Sequence, residues 1–561
     1  MSYAKRSLAQ LEDQEFDVLI IGGGITGAWL ALHASRSGYR TALIEQQDFA
    51  SQTSSSSSKL LHGGIRYLQQ FQFGKVRESA LERAHYIYAA PHLSHSVPFL
   101  IPTYRDFPRS KFFLRCGMMA YQFLTLGENR IIDDPDETLP GHSSISRSAL
   151  QEVLDLGDEP HTGAVQFYER HMHNSERMVL SILRTAEQAG AVIANYCEAK
   201  KLNRDSGTVT GVEARDVLEN AEFPIRSKLV INAAGPWIDE LNTEANHKLP
   251  SINGFAIGSH LITRQISKHA IALATGHQSD TKLDRGGRHV FVIPWQGFSL
   301  IGTSYDEIDQ PRRNLLPTVD DVKQLLDAVN SNVPTAKLTA DDVISGYSGL
   351  YPLRTETIES SVYQGSGEYV IIDHAKSDQL EGLITALGAK FTTGRKLSAL
   401  TMKAVQSKLG GQINLSKAKL HDSNYTALQP FLTEKQKQYG ESYSPELVSH
   451  LARLYGSDID AVLALAASKP ELGRPITTSQ PDVLAQVVFA IQNDHAVTLE
   501  DVLFRRLSVG FFGINQAEVE VVAKVMAPLL SWSEEQTDKQ IDLVLSRLST
   551  LRDTLSQVRD G

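Results

Sequence analysis

Cysteine is scarce in this chain: 561 residues hold Cys116 and Cys197 and no other. They form no CxxC pair or Cys/His cluster, which argues against a disulfide scaffold, a zinc ribbon or an iron–sulfur site. A reducing compartment fits best. Long hydrophobic runs are also missing. No stretch of about 18 residues is apolar enough to span a bilayer, and the nearest, Phe112 to Leu126, is interrupted by Arg115, Gly117 and Gln122. Positive charge is not in excess: 55 Lys and Arg stand against 65 Asp and Glu, a formal charge of −10. The chain therefore has no global basic footprint, and no nucleic-acid partner is expected. Met1 to Glu15 carries Lys5 and Arg6 but no apolar core or small-residue cleavage site, so no signal peptide is expected. What is present is ordinary globular material, 42% apolar and 21% charged. At about 150 residues per domain the length predicts several domains or subdomains.

The first informative segment runs from Phe16 to Glu45. Phe16 to Ile21 is short, β-branched and apolar and stops at glycine, as a buried parallel strand does. Gly22, Gly24 and Gly27 then supply GxGxxG, Ala28 to Ser37 is helix-compatible up to Gly38, and Thr41 to Ile44 reads as a second strand ending at Glu45. Each residue type has a mechanical reason. Gly22 permits the tight turn, Gly24 lets a pyrophosphate approach the backbone, and Gly27 lets helix and strand pack closely. The helix N-terminus stabilises phosphate charge, and Glu45 can accept from ribose hydroxyls. Glu45 disfavours a 2′-phosphate, which argues against NADP. Strand, glycines, helix, strand and acid in this order predict a dinucleotide site.

Ser51 to Ser58 admits two readings: a flexible low-complexity linker, or a hydroxyl- and amide-rich loop lying along the cofactor with Thr53, Ser54 and Ser55 as contacts. Its position after a strand end favours the ligand crevice.

From Gly22 through Tyr67 the chain resembles the FAD-dependent glycerol-3-phosphate dehydrogenase family, within the glycine/D-amino-acid oxidase superfamily. GGGITG and TSSSSSKLLHGGIRYL carry the resemblance, the latter with Gly63 and Gly64. Later motifs agree: Leu229 to Trp237 with Ala234 and Gly235, Gly258-Ser259-His260, Val290 to Trp295, Gly388 to Leu397 with Lys390, Phe391 and Thr392, and Ala496 to Arg506. The resemblance spans nearly the whole chain. It implies an α/β fold in which a Rossmann-like FAD-binding domain carries an inserted antiparallel β substrate domain and is followed by an all-helical C-terminal domain. The expected boundaries are 15–75, 160–255 and 345–400 for the discontinuous FAD domain, 76–159 and 256–344 for the substrate domain, and 401–561 for the helical domain. Helical spacing of Leu447, Leu451 and Leu454, and of Val483, Val487, Val488 and Ile491, supports the last. Thr498 and Asp501 resemble a capping box.

Oxidation of a secondary alcohol by hydride transfer needs a base, an anion clamp and a charge near the hydride acceptor. The resemblance makes His260 the leading base, with a structural histidine at a strand start as the other reading. It makes Arg66 an anion fork, Tyr67 a substrate donor and Lys390 the charge at the flavin. No metal is expected. The expected reaction is oxidation of sn-glycerol 3-phosphate to dihydroxyacetone phosphate, with electrons passed to a quinone. The alternatives are an FAD enzyme acting on another small anionic alcohol or amine, and a non-catalytic redox sensor. The departures from the family lie in the substrate clamp. Tyr351 stands where the family's YSGxRPL motif has arginine, with Arg354 three residues on; Glu368 stands where RDY has another; Ser304 and Tyr305 replace the end of GTTD.

Phe112 to Leu126, with Arg105, Arg109, Lys111 and Arg115 around it, is either a helix packed on its own core or a monotopic contact with anionic lipid. The expected location is cytoplasmic, with peripheral attachment to the cytoplasmic membrane face following from a quinone acceptor. A homodimer is compatible with the sequence, which leaves the oligomeric state open.

Overall fold

The computed structural model describes residues 6, 8–69, 71–157, 160–244, 254–274, 289–353, 369–388 and 390–560. Arg354 and Glu368 lie outside the described residues, as does the side chain of Arg66.

The expected strand–glycine–helix–strand unit opens the fold as Glu15–Ile21, Ile25–Arg36 and Thr41–Ile44. The first strand pairs in parallel with Thr41–Ile44 on one side and with Glu222–Asn232 on the other. Val192–Ala194 and Leu383–Leu387 extend the parallel sheet outward, and Val370–Asp373 closes one edge in antiparallel sense. Strand alternation splits its side chains between two cores. Val18, Ile20, Leu43 and Ile231 face the helices Ile25–Arg36, Ser175–Gln188 and Gly394–Leu409, through residues such as Ala28, Leu183 and Met402. Leu19, Ile21, Ala42 and Val230 face Leu202, Val209 and Val212 of an antiparallel ribbon, Cys197–Asp205 with Thr208–Asp216. Burial on both faces explains why the central strand reads as a continuous apolar run.

The second sheet has ten strands among the described residues and is mainly antiparallel. Its long central strand, Gly254–Arg264, pairs with Phe298–Gly302 and with Val343–Leu353. Strand pairing cuts across the boundaries expected from the sequence. Gly163–Met172 pairs along its whole length with Ser94–Thr103 in the second sheet, and Val343–Leu353 also joins that sheet. The first lies within the 160–255 segment expected for the flavin domain, and the second spans the expected boundary at 344/345. Hydrogen-bond registry between distant segments, which no local pattern encodes, decides where each strand goes.

From Leu428 onward the chain is mainly helical, as the apolar spacing anticipated, and includes Pro445–Tyr455 and Ala485–Asn493. Its core is continuous with the second sheet through Trp295, Tyr347 and Phe511. The final helix, Glu534–Asp560, returns to pack Leu551 and Leu555 against Val322 and Leu326 of the helix Val319–Asn332.

Candidate active site

A cavity of about 560 Å³ runs from the end of the first strand, under the serine-rich loop, to the second sheet. Its near end is built from the glycine turn. A Cβ at Gly27 would sit 1.9 Å from the Gly22 carbonyl oxygen, so only glycine lets the helix start this close to the strand. Gly22 adopts φ +111°, and a Cβ there would meet the Ala233 carbonyl oxygen at 2.5 Å. Glu45 ties this end together: one carboxylate oxygen accepts from Gly23 N at 2.7 Å and the other from Gln47 N at 2.9 Å. Burial pushes the Glu45 carboxyl up, against the pull of those two donors. Gly22, Gly24 and Glu45 all line the cavity, as do Ala234 and Gly235 from the loop after Glu222–Asn232. Gly27 does not line it and acts through packing.

The serine-rich segment is an ordered loop rather than a linker. Ser54 Oγ accepts from Ile25 N at 3.0 Å, at the start of the helix Ile25–Arg36. The Thr53 hydroxyl donates to the Leu350 carbonyl at 2.5 Å, which ties the loop to the second sheet. Thr53 and Ser54 line the cavity; Ser55 turns its hydroxyl back onto the Gln52 carbonyl at 2.8 Å and does not. Below the loop lies Lys59, fully buried. Its ammonium meets both Glu176 carboxylate oxygens at 3.0 Å and donates to the Ser55 carbonyl at 3.2 Å. It also sits over the rings of Trp295 and Tyr347.

At the far end, His260 is 2% exposed and lines the cavity from the strand Gly254–Arg264. Its Nε2 lies 3.0 Å from Ser58 Oγ, and its ring stacks on Tyr347 at 5.0 Å between centroids. The Tyr347 hydroxyl in turn donates to the Ser57 carbonyl at 2.7 Å. Burial, then the Lys59 charge, lowers the His260 pKa to about 3, so the imidazole is neutral near pH 7. Lys390 also lines the cavity, with its Nζ 3.7 Å from the centroid of the Tyr67 ring. Gly388, Lys390, Phe391 and Thr392 line this wall, with Gly64 and Tyr67 beside them. Thr392 is 1% exposed and its Oγ1 has no protein partner, so a buried hydroxyl at the cavity edge is left to a bound group.

Gly63 stands behind the wall. Its N–H donates to Glu169 at 2.8 Å, and a Cβ there would meet the Tyr121 hydroxyl at 1.8 Å. Tyr351 lines the cavity, opposite Ala256 in the sheet register and near Tyr305. Arg354 and Glu368, being outside the described residues, are not placed, and the Arg66 side chain is not placed. Sequence reasoning missed Phe99, Phe167 and Phe291, which form an aromatic wall, and the Cys197–Lys200 edge near Glu45. The three phenylalanines come from strands far apart in sequence, and the ribbon edge carries no motif. No group of acidic, histidine or cysteine side chains among the described residues could hold a metal.

Glycine turn, ribose-type acceptor, hydroxyl-rich loop and orphaned threonine together fit a dinucleotide bearing a planar redox ring. Related proteins specify it. Residues 17–397 match the family model described as FAD dependent oxidoreductase, and 409–537 match the C-terminal domain of alpha-glycerophosphate oxidase. Glycerol-3-phosphate dehydrogenase from Synechocystis sp. is 31% identical over 96% of this chain and 97% of that protein. The human mitochondrial glycerol-3-phosphate dehydrogenase is 30% identical over 94% of this chain and 72% of that protein. The glycerol-3-phosphate dehydrogenase structure from Bacillus halodurans, complexed with FAD, superposes with a TM-score of 0.76 at 28% identity, over 97% of this chain and 98% of that one. The cavity's residues suit that cofactor. The chain belongs to the FAD-dependent glycerol-3-phosphate dehydrogenase family, and its cofactor is FAD.

Proposed function

We propose that this protein oxidises sn-glycerol 3-phosphate to dihydroxyacetone phosphate and passes the electrons to a quinone. The observation that carries the reading is that one cavity is lined both by a neutral buried histidine, His260, and by a lysine, Lys390, which sits over the Tyr67 ring. The names of the relatives support the substrate. FAD, when bound, supplies the hydride acceptor. His260 takes the proton of the C2 hydroxyl while the hydride leaves the same carbon, so the alcohol becomes a ketone with no other oxidant required in that half-reaction. Ser58 and the Tyr347 ring fix the imidazole plane. Lys390 supports negative charge developing at its end of the cavity, and an anionic substrate nearby raises the basicity that burial and Lys59 depress. Arg66 and Tyr67 are assigned to substrate, as is Tyr351, which lines the cavity where the family pattern has arginine; Arg354 is assigned to substrate from the sequence pattern alone. Turnover with glycerol 3-phosphate and an artificial electron acceptor tests the reaction; reoxidation of the reduced protein by a short-chain quinone tests the acceptor.

A bilayer contact belongs to the same proposal. Eight of the twelve large hydrophobic side chains exposed among the described residues lie between Phe71 and Leu126, with Phe112 at 74% and Phe123 at 71% exposure. The helix Lys111–Leu124 buries Met118 and Tyr121 on its inner face and turns Phe112, Met119 and Phe123 outward. Arg105, Arg109, Lys111 and Arg115 surround it, as suits anionic lipid. A Phe112→Ser, Phe123→Ser double variant should lose co-sedimentation with anionic vesicles at low salt; undiminished binding would remove this face from the proposal.

The second reading, another small anionic alcohol or amine as substrate, is favoured by Tyr351. It puts a phenol on the cavity at the position where the family pattern has a guanidinium. A substrate panel separates the two.

A further inference from the structure

The mechanism leaves a dense buried network unused, and it joins the helical C-terminal region to the cofactor's near end. Asp48 lies three residues beyond Glu45 and two residues before the cavity-lining segment that starts at Ala50. It is 1% exposed. Arg506 grips its carboxylate with two nitrogens, one of them at 2.8 Å, Arg505 Nε donates to it at 2.5 Å, and Asn195 Nδ2 donates to it at 3.0 Å. Burial alone would raise the Asp48 carboxyl, but the two guanidiniums outweigh it and hold the pKa down to about 2.

The same two arginines are fixed from behind. Arg505 donates to Asp501 at 2.6 Å, and Arg506 donates to the Asp494 carbonyl at 2.7 and 2.9 Å. Asp501 also accepts from the Tyr196 hydroxyl at 2.6 Å. Tyr196 N donates to the Gln47 carbonyl at 2.9 Å, and the next residue, Cys197, donates from its N to the Glu45 carbonyl at 2.8 Å and lines the cavity. Residues 494–506 thus hold both backbone runs that flank Glu45, one through Asp48 and one through Tyr196. Nothing else among the described residues pairs with the Asp48 carboxylate except Asn195, itself bonded to the His495 carbonyl at 2.9 Å.

We infer that Asp48 is a positioning residue through which Arg505 and Arg506 set the Glu45–Ser51 loop for FAD, so that cofactor binding and docking of residues 494–506 are one linked equilibrium. Linkage is reciprocal: if docking tightens FAD, FAD must tighten docking by the same factor. A buried charge left without its partner is costly, so the loop cannot relax around an undocked arginine pair without reorganising.

The test uses the full-length chain with and without its FAD. Hydrogen exchange is followed by mass spectrometry on peptides covering 46–51 and 494–508. FAD should slow exchange in both, although residues 494–508 do not line the cavity. A network that is only structural would leave 494–508 unchanged by FAD. The second measurement is the rate of FAD release from the holoprotein, read by flavin fluorescence. Arg505→Gln, which leaves Arg506 on Asp48, should accelerate release about tenfold, within the usual range of coupling between sites. Lys435→Met is the control. It breaks a pair with Asp460 inside the helical region and should leave release as in the parent. FAD-independent exchange at 494–508, or equal release from the Arg505 variant, the Lys435 variant and the parent, overturns the inference.

Discussion

His260 Nε2 and Ser58 Oγ face each other at 3.0 Å, and this contact fixes the imidazole that the cavity shares with Lys390 and Tyr67. His260→Asn should retain FAD and slow flavin reduction by substrate by roughly 10²–10⁴-fold, the usual weight of a general base. Ser58→Ala removes only the orienting contact and should cost far less. Anaerobic stopped-flow absorbance on both variants measures the difference. A His260 variant reducing at the parent rate would return His260 to a structural role.

Lys59 and Glu176 are each 1% exposed at their side chains and paired at 3.0 Å. Glu176→Gln leaves a buried ammonium short of its counter-charge. Chemical denaturation should show a loss of about 3–5 kcal/mol, the usual cost of breaking a buried pair. A change under 1 kcal/mol would mean that water or the neighbouring carbonyls satisfy Lys59.

Gly27→Ala forces a Cβ to within 1.9 Å of the Gly22 carbonyl oxygen. The turn has to open, so the variant should fold poorly or purify without yellow colour. Gly38→Ala, where no atom lies within 4 Å of the added Cβ but φ is +83°, should be milder, costing about 1 kcal/mol or more with FAD retained. Flavin content per chain distinguishes them.

Buried histidines make stability fall with acid. Burial lowers His33, His95 and His260 to about 3, and His85 to about 4. The unfolded chain takes up protons on these groups near pH 6.5, while the folded chain resists until far lower pH. Between those values the unfolded state binds more protons, so stability rises with pH. Their contribution is complete above pH 6.5 and is lost progressively as pH falls toward 3. His450, raised by Asp482 against its burial, works in the opposite direction. The urea midpoint should therefore be clearly lower at pH 5.5 than at pH 7.5; an unchanged midpoint would contradict the neutral burial of these rings.

The parts legible in the sequence are those whose chemistry is local. The run Phe16 to Glu45 could be read because turn, helix start and acid must follow each other at short spacing. Thr498 and Asp501 likewise form their reciprocal cap, with Asp501 N donating to Thr498 Oγ1 at 3.1 Å and Thr498 N to the Asp501 carboxylate at 3.0 Å. His260 was legible as a motif, but not its partner Ser58, which is 202 positions away. The serine run could not announce that Ser55 turns inward while Ser54 accepts from the start of a helix, because that depends on which backbone groups the folded loop meets. The pairing of Gly163–Met172 was not legible for the same reason. Its apolar pattern suits either sheet, and only the pairing with Ser94–Thr103 decides.

The proposed function rests on electrons leaving glycerol 3-phosphate for the bound flavin. Anaerobic titration of the purified holoprotein with glycerol 3-phosphate, followed at the flavin absorbance maxima, addresses it directly. Rapid bleaching at low substrate concentration is the predicted result, and it would mean that the cavity binds the phosphate ester with Tyr351 in place of the family's arginine. A flavin that dithionite bleaches and glycerol 3-phosphate does not would contradict it, and would direct the search to other small hydroxy or amino compounds.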